Sequence, residues 1–341
     1  MKGVLLTRHR LLKVAAALCL AGTAGYALEQ AIESRNRRRF PPPGQLVDVG
    51  GFRLHLRREG ERCPGRPAVI LESGIGAWSI YWQAFLPQIA AFTHVCAYDR
   101  AGSGWSDPGP QPRSPERIAA ELHALLAAAG ETGPYVLVGH SLGGLILRQF
   151  AAQYPQDVAG MVLIDAVHDR IDRYIPFLAS TYRSFLVSLR GAGLLARLGA
   201  ARLIGRRGLL LAHPPVTSRW VEDVLTAQTL HPSFFTGLSA EAAGWTRFTA
   251  RAAAASLGDI PLVVIHGLYP EMPPSGYPRV IWKRFTAGWN AMQANLAGLS
   301  TRSRRIAIGQ SHHPVYDAPE LVVELIRELV ELASAPLPQQ D

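Results

Sequence analysis

Six residues, Gly139 His140 Ser141 Leu142 Gly143 Gly144, constrain the fold of this chain more than any other stretch. They fit the pattern G-x-S-x-G. The β-rich apolar run Tyr135 Val136 Leu137 Val138 stands before them, and a helix-favouring run from Leu145 to Ala152, halted by Pro155, follows. The spacing predicts a strand, a sharp turn and a helix in direct succession. A turn that tight crowds its neighbours, so the positions beside the serine need residues without a Cβ. A helix starting just after Ser141 also aims free N–H groups and the positive end of its dipole at that serine. Ser141 is therefore a candidate nucleophile whose developing negative charge would meet backbone donors. The plain alternative is a glycine turn with an exposed serine, and the flanking strand and helix argue against it.

The same alternation runs through the chain. Leu46 to Arg57 reads as two short strands around Gly50 Gly51, a hairpin, with His55 between Leu54 and Leu56 on the solvent face. Ala68 to Leu71 is a strand that runs into Glu72 Ser73 Gly74 Ile75 Gly76, and His94 to Tyr98 is another, ending in Asp99 Arg100. Arg117 to Ala129 sets Ile118, Leu122, Leu125 and Leu126 on one helical face, a crossover towards the serine strand. Gly160 to Ile164 is a strand ending in Asp165; Ile260 to His266 and Arg305 to Ile308 are two more, and Glu320 to Leu332 closes the chain as a helix. Alternation of this kind predicts an α/β fold with a mostly parallel sheet covered by helices on both faces. Between Asp169 and Leu257 no buried strand is legible, so a helical insertion is expected there. The expected organisation is residues 1–44 as amino-terminal segment and linker, 45–168 and 258–335 as the two parts of the core, and 169–257 as a helical cap.

The net charge of +9, from 35 Lys and Arg against 26 Asp and Glu, could suggest a nucleic-acid partner. Its location says otherwise. Residues 1–44 hold eight basic and two acidic residues, so +6 of it is amino-terminal and +3 is left for everything else. Within that segment the uncharged run Val14 to Leu28, flanked by basic residues, fits either a cleaved signal peptide or an uncleaved transmembrane anchor. Export or membrane attachment is the expectation, in a bacterial cell envelope. Phe40 Pro41 Pro42 Pro43 Gly44 then reads as a stiff linker. Cys19, Cys63 and Cys96 do not make a disulfide framework, and Cys96 reads as a buried thiol.

The motifs together resemble the α/β-hydrolase fold family of the serine type. The loop Asp99 Arg100 Ala101 Gly102 Ser103 Gly104 Trp105 Ser106 and the proline-rich linker make the chain similar to its membrane-associated or exported bacterial members. The resemblance covers residues 41–335, least so in the insertion. It implies His312, in the loop after the last strand, as general base, with His313 before Pro314 as the lesser candidate. For the acid it leaves two positions open: Asp165 at a strand end, and Glu271 in the Pro-rich loop after Gly267. It implies the backbone N–H groups of Leu142 and Ile75 as oxyanion donors, with Ser73 where the family more often has His. Asp99 and Arg100 are expected to order that loop. The implied activity is hydrolysis of a small-molecule acyl substrate, a carboxylic ester or else a lactone or amide, with neither metal nor organic cofactor. A peptidase of the aminopeptidase type and a non-catalytic acyl-ligand binding protein are the rival readings.

Overall fold

The computed structural model describes residues 2–202, 218–247, 256–270, 273, 278–309 and 311–334. Its eight strands are β1 (Gln45–Asp48), β2 (Arg53–Glu59), β3 (Ala68–Glu72), β4 (Val95–Tyr98), β5 (Tyr135–His140), β6 (Val158–Ile164), β7 (Leu262–His266) and β8 (Ser303–Ala307). They form one sheet in the order β1-β2-β4-β3-β5-β6-β7-β8. β2 runs antiparallel to both β1 and β4, and every other neighbouring pair is parallel. This is the mostly parallel α/β architecture that the alternation predicts.

The central strands are apolar on both faces because helices cover both. Along β5, Tyr135 and Leu137 join one core layer, with Leu122, Leu145, Phe150 and Met292. Val136 and Val138 join the other, with Trp82, Phe85, Ile326 and Val330. Each fully buried aliphatic side chain of this kind contributes roughly 1.5–3 kcal/mol. The helix Pro115–Ala128 starts where expected: Pro115 opens it and the Ser114 side chain accepts from Arg117 N at 3.4 Å.

The chain forms two compact units, one of Met1–Pro41 with Val187–Thr236 and one of Pro42–Leu186 with Gly237–Asp341. The second holds the whole sheet. The described part of the 169–257 insertion is helical, in the segments Ile171–Tyr174, Leu178–Arg197, Arg219–Thr229 and Pro232–Arg247.

In the first unit the amino-terminal helix runs from Lys2 to Arg39. Its packed face is small and polar. A Cβ on Gly25 would lie 2.2 Å from the Leu198 carbonyl oxygen, Glu29 is buried and holds Arg202 through two bonds of 2.6 Å, and Glu33 meets His231 at 3.0 Å. The transmembrane span expected over Val14 to Leu28 needs correction here. Among the described residues no helix is long and apolar enough to cross a membrane. Fifteen helical residues reach only about 22 Å of the roughly 30 Å hydrocarbon thickness, and charged residues close the run at Lys13 and Glu29.

His55 is a second correction. It is fully buried rather than solvent-facing, accepting from Gly44 N at 3.0 Å and donating through Nδ1 to Asp99 at 3.0 Å. Strand alternation assigns a side, and the loop after β4 covers the side His55 faces.

Candidate active site

The parallel strands β5, β6 and β8 all end on the same edge of the sheet. The loops that leave them carry Ser141, Asp165 and His312, so residues far apart in sequence meet at one crevice. Ser141 sits between β5 and the helix Leu142–Gln153 with φ 53° and ψ −118°, a conformation that L-residues rarely adopt. Its backbone is pinned from both sides: Ser141 N donates to Ile164 O at 3.0 Å, and Val167 N donates to Ser141 O at 3.1 Å. The motif glycines are dictated by contact. A Cβ on Gly139 would stand 2.7 Å from Gly144 N, and one on Gly143 would stand 2.5 Å from Glu72 O.

A continuous hydrogen-bond chain runs from the serine. His312 Nε2 is 3.0 Å from Ser141 Oγ, and His312 Nδ1 is 2.5 Å from Asp165 Oδ2. A carboxylate only accepts, so the ring proton is on Nδ1 and the lone pair on Nε2 faces the serine hydroxyl. Asp165 is buried in a left-handed conformation at φ 44°. Besides His312 it accepts from Tyr269 OH at 2.8 Å, Trp289 Nε1 at 2.8 Å and Gly267 N at 3.2 Å. Burial pushes its pKa up, but the His312, Trp289 and Tyr269 contacts outweigh burial and hold the carboxyl below the usual range. Glu271 lies outside the described residues.

His140, the variable residue between Gly139 and Ser141, also takes part. Its Nε2 donates to the His312 carbonyl at 2.8 Å, and its ring centre is 5.1 Å from those of His312 and His313. Burial and the two neighbouring histidines drive its pKa down to about 3, and burial followed by His312 lowers His313 to about 4. A histidine in the unfolded chain titrates near 6.5, so below that pH the unfolded chain takes up protons that the folded chain refuses. Stability should therefore fall with pH from about 6.5 towards 4, and on towards 3 for His140, by about 1 kcal/mol per pH unit for each ring. Urea midpoints measured at about pH 7 and pH 5 test this, and equal midpoints would refute it.

The loop that carries Ile75 is held by a buried cation. Arg100 donates to Ser73 O and Gly74 O at 2.7 Å each, to Glu72 at 2.6 Å, and to both oxygens of Glu241 at 2.7 and 2.9 Å. Ala77 N closes the turn onto Gly74 O at 3.1 Å. Ser73 Oγ accepts from Trp82 Nε1 at 3.0 Å, and Leu142 opens its helix, so its N–H has no acceptor within the helix. Asp99 orders the adjoining turn, accepting from Ser79 N at 2.8 Å and Trp105 N at 2.9 Å. Arg100 and Asp99 thus do the ordering that the sequence suggests. Glu241, Trp289, Tyr269 and His140 were not singled out there. Tyr269 is close to the end of β7 and His140 lies inside the motif, so position could have flagged both, whereas nothing local marks Glu241 or Trp289.

Among the described residues one cluster has metal-ligand atoms close together: His94, Cys96 and Glu131, at the opposite end of the strands. Its groups are already engaged. Glu131 pairs with Arg58 and Arg62, His94 Nδ1 donates to Gly60 O at 3.0 Å, and burial pushes the Cys96 thiol up to about 12.

Comparison with known proteins gives a match over residues 67–268 to the model of a family described as alpha/beta hydrolase fold. "Putative carbamate hydrolase RutD" of Klebsiella pneumoniae is 36% identical over 129 residues, 37% of this chain and 45% of that protein. "AB hydrolase superfamily protein" of Gibberella zeae is 31% identical over 147 residues, 41% of this chain and 46% of that protein. The chain spans less than half the length of these curated relatives. Among solved structures, a thermophilic esterase from Thermogutta terrifontis superposes with a TM-score of 0.59 at 21% identity, covering 85% of this chain and 98% of that one. At that identity the likeness speaks for the fold.

Proposed function

The chain belongs to the alpha/beta hydrolase fold family, and from that premise we propose that it is a hydrolase that cleaves a carboxylic ester through an acyl-enzyme on Ser141. The observation that carries this reading is the chain Ser141 Oγ, His312, Asp165 at 3.0 and 2.5 Å, with the Nε2 lone pair facing the hydroxyl. Ser141 Oγ attacks the carbonyl carbon while its proton passes to His312 Nε2. Asp165 keeps the ring in the working tautomer and stabilises the imidazolium. The carbonyl oxygen, now negative, turns to the N–H groups of Leu142 and Ile75. Collapse of the tetrahedral adduct breaks the bond to the leaving alcohol, which takes the Nε2 proton. Water then gives a proton to the same nitrogen and attacks the acyl group, releasing the acid and restoring Ser141.

A fluorophosphonate probe tests the premise of an activated serine directly. Covalent labelling is expected on the peptide that contains Ser141, and p-nitrophenyl esters are expected to turn over faster than aminoacyl anilides. A folded chain that takes no label would leave the non-catalytic binding protein as the better reading. Preference for anilides would move the assignment to a peptidase.

A further inference from the structure

Hydrophobic side chains left in water are not spread evenly over this protein. Among the described residues, nine of the fifteen large apolar side chains that remain exposed lie in the unit of Met1–Pro41 and Val187–Thr236, about a quarter of the chain. The charge divides in the same way. The two segments of that unit contain fourteen Lys and Arg against four Asp and Glu, a net +10, which leaves −1 for the rest. Neither the fold nor the crevice of the other unit accounts for this pairing.

The helix Leu178–Arg197 shows how the two properties combine. At 100° per residue, Val187 and Leu194 point the same way, as would Leu198 just beyond the helix end. Val187 is 69% exposed, Leu194 60% and Leu198 41%. Leu195 lies to one side of this line, while Arg190 and Arg197, both exposed, lie to the other. Leu189 and Ala196 occupy the opposite, buried side. The outward stripe is thus apolar with a basic border, the reverse of what water favours.

The amino-terminal helix adds exposed apolar side chains, spread round its axis with no single stripe. Its packed face contains Gly22, Gly25, Glu29 and Glu33, while Val14, Leu20, Tyr26 and Leu28 stand exposed. Basic residues lie at both ends of this apolar run, with Arg10 and Lys13 before it and Arg35, Arg38 and Arg39 after it. A helix crossing a bilayer would put these two groups on opposite sides and would strip Glu29 from Arg202. A helix lying in the surface lets both groups reach the headgroups of one leaflet and keeps the ion pair.

We propose that this unit is a membrane-surface module, resting on an anionic lipid bilayer with its apolar stripe in the headgroup and acyl boundary and its arginines and lysines on lipid phosphates. A second copy of the chain would meet the face with +10 against +10. A nucleic acid would match the charge but give the leucines nothing to bury. The proposal concerns binding alone and stands apart from the catalytic reading.

Sedimentation of the full chain with lipid vesicles at about 0.1 M salt tests it. Binding to vesicles of equal parts phosphatidylglycerol and phosphatidylcholine is expected to be at least about tenfold tighter than to phosphatidylcholine alone. The double substitutions Leu194→Ser with Leu195→Ser, and Arg190→Glu with Arg197→Glu, should each weaken it by about tenfold or more. Neither pair is among the residues that hydrogen-bond to Ser141, His312 or Asp165, so turnover of a soluble p-nitrophenyl ester should be unchanged and reports separately on the site. The proposal is overturned if the chain stays in the supernatant with both vesicle types. It is also overturned if the serine pair binds as well as wild type, or if duplex DNA displaces the chain from the vesicles at equal phosphate.

Discussion

Alanine at position 141 is expected to lower kcat for an ester by four to six orders of magnitude, roughly the effect of losing an entire triad. The size follows from the arrangement around Ser141 Oγ. His312 Nε2 stands 3.0 Å from it, and without the oxygen no other described group occupies the point from which attack would begin. Water held by His312 and the oxyanion donors would sustain a residual rate. The fold should persist, because the backbone bonds of Ser141 to Ile164 and Val167 are ones that alanine keeps. Alanine keeps the same backbone conformation and loses only the bond to His312, so the melting temperature should change little. Turnover by Ser141→Ala within tenfold of wild type would remove this serine from the chemistry.

The substitution Asp165→Asn is expected to cost about four orders of magnitude in kcat with little change in KM. The reason lies in the four donors that surround the carboxylate. Oδ1 receives Gly267 N–H and Trp289 Nε1–H, both rigid, while Oδ2 receives His312 Nδ1–H and the Tyr269 hydroxyl. An amide has only one oxygen to offer, and its NH2 cannot face the two fixed donors without leaving both unpaired. The NH2 therefore turns to the Oδ2 side. The Tyr269 hydroxyl can rotate to accept from it, and His312 can satisfy it only by giving up the Nδ1 proton. The proton then moves to Nε2, and the ring presents a donor where the serine needs a base. If Asp165→Asn retains more than about a tenth of the activity, the acid is elsewhere, and Glu271→Gln becomes the decisive variant.

How far the sequence could carry these arguments depended on the range of the interaction involved. The serine turn was legible because its causes are local: a strand, two glycines and a helix within eighteen residues of sequence from Tyr135 to Ala152. His312, in the loop after the last strand, came from the family resemblance. Between Asp165 and Glu271 the sequence offered only two carboxylates near strand ends. The donors that favour Asp165 come from Tyr269 and Trp289, more than a hundred residues away, and no periodicity encodes such a meeting. His55 was misread for a related reason. Alternation along a strand gives the side a residue faces, but whether that side is wet depends on Asp99 and the loop behind it. The apolar amino-terminal run shows the opposite limit, since the Glu29 to Arg202 pair that seats it joins residues 173 positions apart.

Arg100 also bears on how this protein could be re-engineered. Its guanidinium joins the turn around Ile75 to Glu241, which is carried by the insertion and not by the strands. Exchange of insertions between relatives is an attractive route to new specificity, since no strand of the sheet comes from the insertion. In this chain a transplanted segment without an acidic group at the position of Glu241 would leave a fully buried arginine short of a counter-ion directly behind the turn that carries Ile75. Chimeras should therefore be cut so that the second half of Pro232–Arg247 stays with the host, or designed with Glu241 and Arg100 inherited as a pair.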